Sequence, residues 1–230
     1  MNESRFFVGR RKELGQLGKA CSNKSHVLIT GETGIGKTAL LRQARLYFQF
    51  LLCEETSSLG RICENFERQF GWSHRKMDMI ERKNRLLPYL ARRDVPVALD
   101  SVALTPPRVA RFIHNLIERV PVWISCRSAQ PKEIGAVWQY LGHFEHIDLD
   151  PLVRRETAMI IQSAINAERL PVSISNHVPV LHRIAKGNPR ALEELLIELS
   201  TRDYHLDNAF GRNLLDLDRR IHQIAKIAEH

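Results

Sequence analysis

The residues with the clearest chemical meaning form a glycine-rich segment near the start of the chain. It fits the pattern GxxxxGK followed by Ser or Thr, in which backbone N–H groups surround a phosphate and glycines allow a close approach. The segment consists of Gly31, Glu32, Thr33, Gly34, Ile35, Gly36, Lys37 and Thr38, and Ala39 follows it. We predict that this loop binds phosphate, that Lys37 contacts the β- and γ-phosphates and that Thr38 binds Mg²⁺. An ordinary glycine-rich turn is the alternative.

A single carboxylate follows an apolar segment in the middle of the chain. Residues 95–100 read Val-Pro-Val-Ala-Leu-Asp, which predicts a buried strand that delivers Asp100 to the Mg²⁺ of the loop. The next residue is Ser101, whose hydroxyl is a poor proton acceptor near neutral pH. Glu54 and Glu55, at the end of another predicted strand, are candidates to supply the missing base; otherwise they only solvate that strand end.

Two arginines are placed to contact a bound phosphate. Ser125 ends a predicted strand and Arg127 follows that strand, where a planar guanidinium suits phosphate recognition. Arg190 follows Gly187, Asn188 and Pro189, a sequence typical of the start of a helix. Taken alone, each arginine would be interpreted as a surface salt-bridge partner. Together with the loop, they favour contact with a nucleotide.

Short apolar segments alternate with amphipathic ones over the first 150 residues. The predicted strands cover residues 27–30, 48–53, 95–100, 122–125 and 144–149. The predicted helices cover residues 10–21, 37–47, 59–70, about 77–90, 109–120, 154–167, 175–186, 189–200 and 206–228. This pattern predicts an α/β domain at 1–150, with a mainly parallel sheet covered on both faces, and a small all-helical domain at 151–230.

The last predicted helix carries large apolar residues at alternating spacings of four and three. They are Phe210, Leu214, Leu217, Ile221, Ile224 and Ala228. Such spacing is typical of a coiled-coil seam. Because it extends over fewer than three heptads, we expect this stripe to pack on its own domain rather than to form an oligomeric zipper.

The chain is basic, with a net charge of +8 and a pI near 9.6 over 230 residues, which favours binding to polyanions. We predict non-specific phosphate contacts to DNA from one cluster of bases. Its members are Arg75, Lys76, Arg82, Lys83 and Arg85. A solvated helix face is the alternative.

The composition also argues against several other kinds of protein. The four cysteines form no CxxC pair, which argues against a zinc knuckle or a dithiol redox site and predicts reduced thiols. The sequence shows neither a secretory signal nor a segment apolar enough for a membrane helix. We therefore expect a soluble, cytoplasmic protein with no membrane partner.

The order of these motifs resembles the AAA+ superfamily of P-loop ATPases, in the branch with origin-recognition initiators, bacterial transposition ATPases and STAND signalling ATPases. The resemblance begins at Phe7, Val8, Gly9 and Arg10, followed by Glu13 and Leu14, which is similar to the GRxxEL box that packs against adenine in the family. It extends from residue 7 to about residue 200. It implies a sheet of order 5-1-4-3-2 followed by a helical lid, with Ser125 as sensor 1 and Arg190 as sensor 2. Two features depart from the family pattern: Ser101 replaces the usual acid, and residues 139–143 lack the arginine that relatives insert into a neighbour.

The expected function is an ATP-dependent switch. ATP or ADP with Mg²⁺ would be the cofactors, and hydrolysis would be weak or stimulated by a partner. Mg–ATP would change the affinity for DNA, for a partner protein or for another copy of the chain. A non-hydrolysing, nucleotide-bound interaction module is the main alternative. A small-molecule kinase is a third, which the GRxxEL box and the helical lid disfavour.

Overall fold

The computed structural model describes residues 7–73, 77–202 and 204–228, which divide into two compact units. One unit contains residues 10–33 and 37–149. The other contains the described residues up to 9, residues 34–36 and the described residues from 150 onward. The two units have separate apolar cores.

Within its described residues, the first unit is built on five parallel strands. They are β1 Val27–Thr30, β2 Leu51–Cys53, β3 Val97–Leu99, β4 Val122–Ser125 and β5 Glu145–Asp148. Their order is β2-β3-β4-β1-β5, which confirms the order 5-1-4-3-2 implied by the resemblance. Leu28 of β1 is in register with Ile124 of β4 and with His146 of β5. Every residue of β1, β3 and β4 is buried, as expected for strands covered on both faces.

The same described residues form six α-helices around this sheet. They are α1 Arg11–Asn23, α2 Lys37–Ala44, α3 Leu59–Gln69, α4 Met79–Arg92, α5 Pro107–Ile117 and α6 Pro131–Ile134, and a 3₁₀ helix follows at Ala136–Tyr140. The apolar side of α5 is buried at Val109, Phe112, Ile113 and Leu116, which is the face that its spacing predicts. Neither α6 nor the 3₁₀ helix is predictable from the sequence, because four or five residues are too few to show a period.

The second unit contains four α-helices in the part of the chain that the structure describes. They are α7 Arg154–Asn166, α8 Val178–Ala185, α9 Pro189–Thr201 and α10 Ala209–Ala228, and a 3₁₀ helix at Val172–His177 precedes α8. The single helix predicted at 175–186 is therefore two elements, with a proline in the first turn of α8. Gly187 has φ +69°, and a Cβ atom there would lie 2.5 Å from the Leu152 carbonyl oxygen. Glycine is required at this turn for both reasons.

Helix α10 does not bury the stripe that its spacing leads us to expect. It packs on α9 through another face, on which Leu215 is fully buried, whereas the side chains of Phe210, Leu217 and Ile221 are more than half exposed. The prediction that the heptad stripe packs on its own domain is therefore wrong. Periodicity identifies an apolar face but does not show which surface covers it.

Candidate functional site

The glycine-rich segment forms the turn between β1 and α2. Gly31, Gly34 and Gly36 have φ values of 149°, 82° and 104°, which side-chain-bearing residues rarely adopt. Helix α2 begins at Lys37, directly after the turn. A helix N-terminus presents unpaired N–H groups and a partial positive charge, so the turn has the features of a phosphate-binding loop.

The ammonium group of Lys37 lies against the backbone of this loop. Its Nζ donates hydrogen bonds to the carbonyl oxygens of Gly31 at 2.6 Å and Glu32 at 3.0 Å. Burial lowers the pKa of Lys37, while the nearby Asp100 carboxylate acts in the opposite direction. A phosphate close to this ammonium would favour its charged form, so binding of an anion would counteract the effect of burial.

Asp100 directly follows β3, and its carboxylate is buried and held by hydrogen bonds. Only 2% of the residue is exposed. Its Oδ2 accepts a hydrogen bond from the Thr38 hydroxyl at 2.6 Å, and its Oδ1 accepts one from the Ser125 hydroxyl. The Thr56 hydroxyl donates to the Asp100 carbonyl oxygen at 2.9 Å. Residues at the carboxyl ends of β3 and β4 and at the start of α2 therefore share one hydrogen-bonded cluster.

The chemistry of this cluster fits Mg²⁺. The ion prefers oxygen ligands and is usually held in proteins by one or two carboxylates or hydroxyls together with water and phosphate oxygens. Thr38 and Asp100 provide a hydroxyl and a carboxylate oxygen 2.6 Å apart, beside the glycine-rich loop. These are the two residues that would hold the ion.

Ser125 is fully buried. Besides donating to Asp100, its hydroxyl oxygen accepts a hydrogen bond from the backbone N–H of Ser101 at 2.9 Å. Ser101 itself is exposed and has φ +54°. In this structure Ser125 therefore positions Asp100 and the turn after β3.

Arg127 lies beside the loop on an exposed turn. Its carbonyl oxygen accepts a hydrogen bond from the Gly31 N–H at 3.2 Å. Its Nε lies 3.4 Å from Oε2 of Glu32, and its Nη1 lies 3.9 Å from Oε2 of Glu133. Sequence reasoning misses Glu133, because neither its spacing nor its neighbours indicate a role. The pairing depends on α6, a helix that the sequence does not predict.

Arg190 occupies the first turn of α9. Its backbone N–H donates to the Gly34 carbonyl oxygen at 3.2 Å and to Oδ1 of the helix cap Asn188 at 3.1 Å. Its side chain lies 3.4 Å from Glu194. A Cβ atom on Gly34 would lie 2.7 Å from Cβ of Arg190, so glycine is needed at this contact.

The three residues of the predicted adenine box lie at the start of the described chain. Val8 packs against the core of the helical unit. Gly9 has φ +75°, and a Cβ atom there would lie 2.0 Å from Oε1 of Glu156. Arg10 forms an ion pair with Glu13 at 3.3 Å.

The two candidate replacement bases are already bound to arginines. Glu54 receives two hydrogen bonds from Arg42, at 2.8 and 2.9 Å, and these lower the pKa of Glu54. Glu55 lies 3.3 Å from Arg68 and 3.7 Å from Arg61. A carboxylate with a lowered pKa is a weaker proton acceptor, so Glu54 is poorly suited to replace the missing acid.

The basic cluster is smaller than its sequence suggests. Arg82 is buried and forms two hydrogen bonds with Glu67, at 2.9 and 2.6 Å, so assigning it to a DNA-binding surface is wrong. Fifteen residues separate the pair, so a local count of charges cannot detect it. Arg75 and Lys76 lie outside the described residues. Lys83 and Arg85 lie on α4, where Lys83 is half-buried and Arg85 is exposed.

Aromatic side chains lie beside Arg85 and beside Arg93, an arginine outside the predicted cluster. The guanidinium carbon of Arg85 is 4.0 Å from the centroid of the Trp72 ring, and that of Arg93 is 4.8 Å from the Tyr89 ring. The Trp72 and Tyr89 rings contact each other, with centroids 4.5 Å apart. The sequence alone does not indicate this contact between arginines and aromatic rings.

Two features are absent from the described part of the chain. Within residues 7–73, 77–202 and 204–228, no helix is long and apolar enough to cross a membrane. The same residues contain no group of three or more His, Cys, Asp or Glu side chains arranged to hold a metal ion.

Comparison with known proteins finds similarity in structure but not in sequence. No protein-family model matches the sequence, and no curated protein matches it in sequence. Cdc6p from Pyrobaculum aerophilum is similar in structure, with a TM-score of 0.64 and 17% identity over 87% of this chain and 65% of that chain. The Orc1 protein of Aeropyrum pernix, solved in complex with DNA, gives a TM-score of 0.63 and 15% identity over 92% of this chain and 65% of that chain.

A STAND protein (signal transduction ATPase with numerous domains) that has a tetratricopeptide repeat sensor, from Pyrococcus horikoshii, is also similar. Its TM-score is 0.54, with 17% identity over 93% of this chain and 32% of that chain. The chain thus spans less than two thirds of each of these three structures. The likeness to these three structures is one of fold, a five-stranded parallel sheet flanked by helices and followed by a helical part.

Proposed function

We propose that this protein binds Mg–ATP at the loop of residues 31–38 and uses the bound nucleotide to switch its affinity for DNA or for a protein partner. The observation that carries the proposal is the Asp100 carboxylate, buried and held between the hydroxyls of Thr38 and Ser125 beside a glycine-rich turn. Burying a carboxylate is costly unless it is bound in this way. A carboxylate held in this way supports the proposal of a metal ion bound together with the nucleotide.

Each residue of the site has a proposed task. Backbone N–H groups of the loop and of the first turn of α2 would hold the phosphates, and Lys37 would neutralise their charge. Thr38 and Asp100 would hold Mg²⁺, which neutralises phosphate charge when it is bound. Arg127 would leave Glu32 and contact the terminal phosphate. Arg190, which belongs to the helical unit, would contact the nucleotide when the terminal phosphate is present. Val8, Gly9 and Arg10 would contact the base.

We propose that hydrolysis is slow unless a partner assists it. Ser101 occupies the position of the usual acid, and Glu54 and Glu55 are bound to arginines. The same observation favours a second candidate function, a nucleotide-bound interaction module that does not hydrolyse ATP. Turnover distinguishes the two.

DNA is our proposed polyanion, and Lys83 and Arg85 are the residues of the predicted cluster that we retain for its contact. Their helix belongs to the proposed nucleotide-binding domain at 1–150, whereas residues 151–230 form the proposed lid. The Orc1 structure from Aeropyrum pernix contains DNA, which supports this choice of polyanion. Contacts to phosphates alone would be non-specific and would weaken as salt is raised. We further propose a cytoplasmic location, because all four cysteines are free, as is typical of proteins in a reducing compartment.

The experiment is steady-state ATP turnover with and without duplex DNA, with Lys37→Ala as the blank. We expect DNA to stimulate turnover, and the double variant Lys83→Glu/Arg85→Glu to lose the stimulation while keeping the basal rate. Arg108→Glu/Arg111→Glu, which reverses two exposed charges on α5, is the matched control and should retain the stimulation. Equal stimulation of both double variants would contradict the DNA contact. Binding of ATP without turnover above the blank would favour the second candidate.

A further inference from the structure

Helix α10 exposes a continuous apolar stripe, which we call the α10 seam. Its members and their exposed fractions are Phe210 at 77%, Leu214 at 38%, Leu217 at 53%, Ile221 at 52% and Ile224 at 67%. Five large side chains exposed to this extent amount to roughly 400–500 Å², which is the size of the largest apolar patches on monomeric proteins and is often functional.

The opposite contacts of α10 prevent the seam from turning inward. Leu215 is fully buried in the helical unit. Asp218 accepts hydrogen bonds from Arg202 and from the Tyr204 hydroxyl, both at 2.7 Å. A Cβ atom on Gly211 would lie 2.2 Å from the His205 carbonyl oxygen, so the start of the helix lies close against the loop that precedes it. The orientation of α10 is fixed at several points, and the seam faces away from them.

The spacing of the seam indicates what covers it. Successive members are four, three, four and three residues apart. This period of 3.5 residues keeps a stripe in contact with another helix over several turns, and each side chain inserts between those of the facing helix. An α10 helix from a second chain carries the same stripe over the same length, about 21 Å at 1.5 Å per residue.

We propose that the α10 seam is the interface of a homodimer, in which the α10 helices of two copies pack along each other. The charges near the seam are nearly balanced, so they would not prevent two α10 helices from packing together. Residues 209–224 carry three arginines and two aspartates, a net charge of +1, whereas the chain carries +8. Asp216 also pairs with Arg220 at 2.7 Å and with Arg219 at 3.2 Å within the helix. Two copies therefore meet at a nearly neutral part of a basic protein.

The area of the seam determines how tightly we expect two copies to associate. Covering it on both copies would bury roughly 800–1,000 Å², which is below the range of stable interfaces and corresponds to a weak, reversible dimer. The two heptads are short for an isolated coiled coil, but each helix is already formed by packing on α9, so pairing does not have to pay for helix formation. We expect a dissociation constant in the micromolar range.

The test is sedimentation equilibrium of the full chain from about 1 to about 100 μM, a range that brackets micromolar dimerisation. The wild type should change from monomer to dimer, and Leu217→Glu/Ile221→Glu should stay monomeric with an unchanged circular dichroism spectrum. Met159→Glu, which places the same charge on an exposed apolar site of α7, should dimerise like the wild type. A wild type that remains monomeric throughout, or a seam variant that still dimerises, would overturn the proposal.

Two further experiments distinguish dimerisation through the seam from nucleotide binding and from membrane binding. Lys37→Ala should dimerise normally, because the seam does not depend on nucleotide, so loss of ATP binding and loss of dimerisation can be distinguished. Vesicles of neutral and anionic phospholipid provide the other arm. Capture by vesicles of a chain that stays monomeric would assign the seam to a membrane surface and overturn the dimer.

Discussion

Replacing Glu67 by leucine is expected to lower the free energy of unfolding by roughly 3–5 kcal/mol, because it leaves a buried guanidinium without its carboxylate. Arg82 and Glu67 are both buried and joined by two hydrogen bonds. An arginine cannot lose its proton to escape this cost, and the hydrogen bonds to Glu67 raise the pKa of Arg82 further. Urea denaturation of the purified variants would measure the loss.

Two comparisons make this prediction specific. The double variant Glu67→Leu/Arg82→Met should recover most of the lost stability, because apolar side chains can replace a buried ion pair at little net cost. Arg68→Met, which removes an exposed partner of Glu55, should change stability by about 1 kcal/mol or less. If Glu67→Leu changed the free energy of unfolding only slightly, Arg82 would have to be accessible to solvent and would again be a candidate for DNA contact.

Changing Asp100 to asparagine is expected to raise the Mg²⁺ concentration needed for nucleotide binding by about 10- to 100-fold. The amide keeps the size of the side chain and can still accept a hydrogen bond, but it removes the negative charge that would hold the metal. Titrating Mg²⁺ at a fixed ATP concentration, with binding followed by calorimetry, would measure the change.

The matched control for this variant is Glu54→Gln. It removes a carboxylate from the end of β2 that is bound by Arg42 rather than by the loop, so we expect its Mg²⁺ dependence to match the wild type. If Asp100→Asn and the wild type show the same Mg²⁺ dependence, Asp100 does not hold the ion. A loss of folded structure in Asp100→Asn would be visible by circular dichroism and would call for Asp100→Glu in its place.

The sheet is well predicted from the sequence because its strands are local and strongly patterned. The segments at 27–30 and 122–125 are apolar runs next to turn residues, and both are strands with these bounds. The strand predicted to begin at residue 48 begins instead at Leu51. The aromatic ring of Phe48 lies near Gly18, and this tertiary contact leaves no trace in the local pattern.

The candidate site is predictable where one motif contains its own geometry. Residues 31–38 are contiguous, and their glycines take the positive φ values that the motif requires. Contacts between distant segments are not predictable. The pairing of Arg82 with Glu67, the cluster of Trp72, Tyr89 and Arg85, and the outward orientation of the α10 seam all depend on which elements pack together. Charge counts and periodicity carry no information on that choice.

The measurement that tests the central claim most directly is the thermal unfolding of the wild type and of Lys37→Ala, with and without Mg–ATP. We predict that ATP at about 100 times its dissociation constant stabilises the wild type by about 2.7 kcal/mol. Lys37→Ala should unfold as the wild type does without nucleotide and gain almost nothing from Mg–ATP, while Lys19→Ala, which alters an exposed lysine of α1, should behave as the wild type. An unshifted wild type, or an equal shift in Lys37→Ala, would contradict nucleotide binding at this loop.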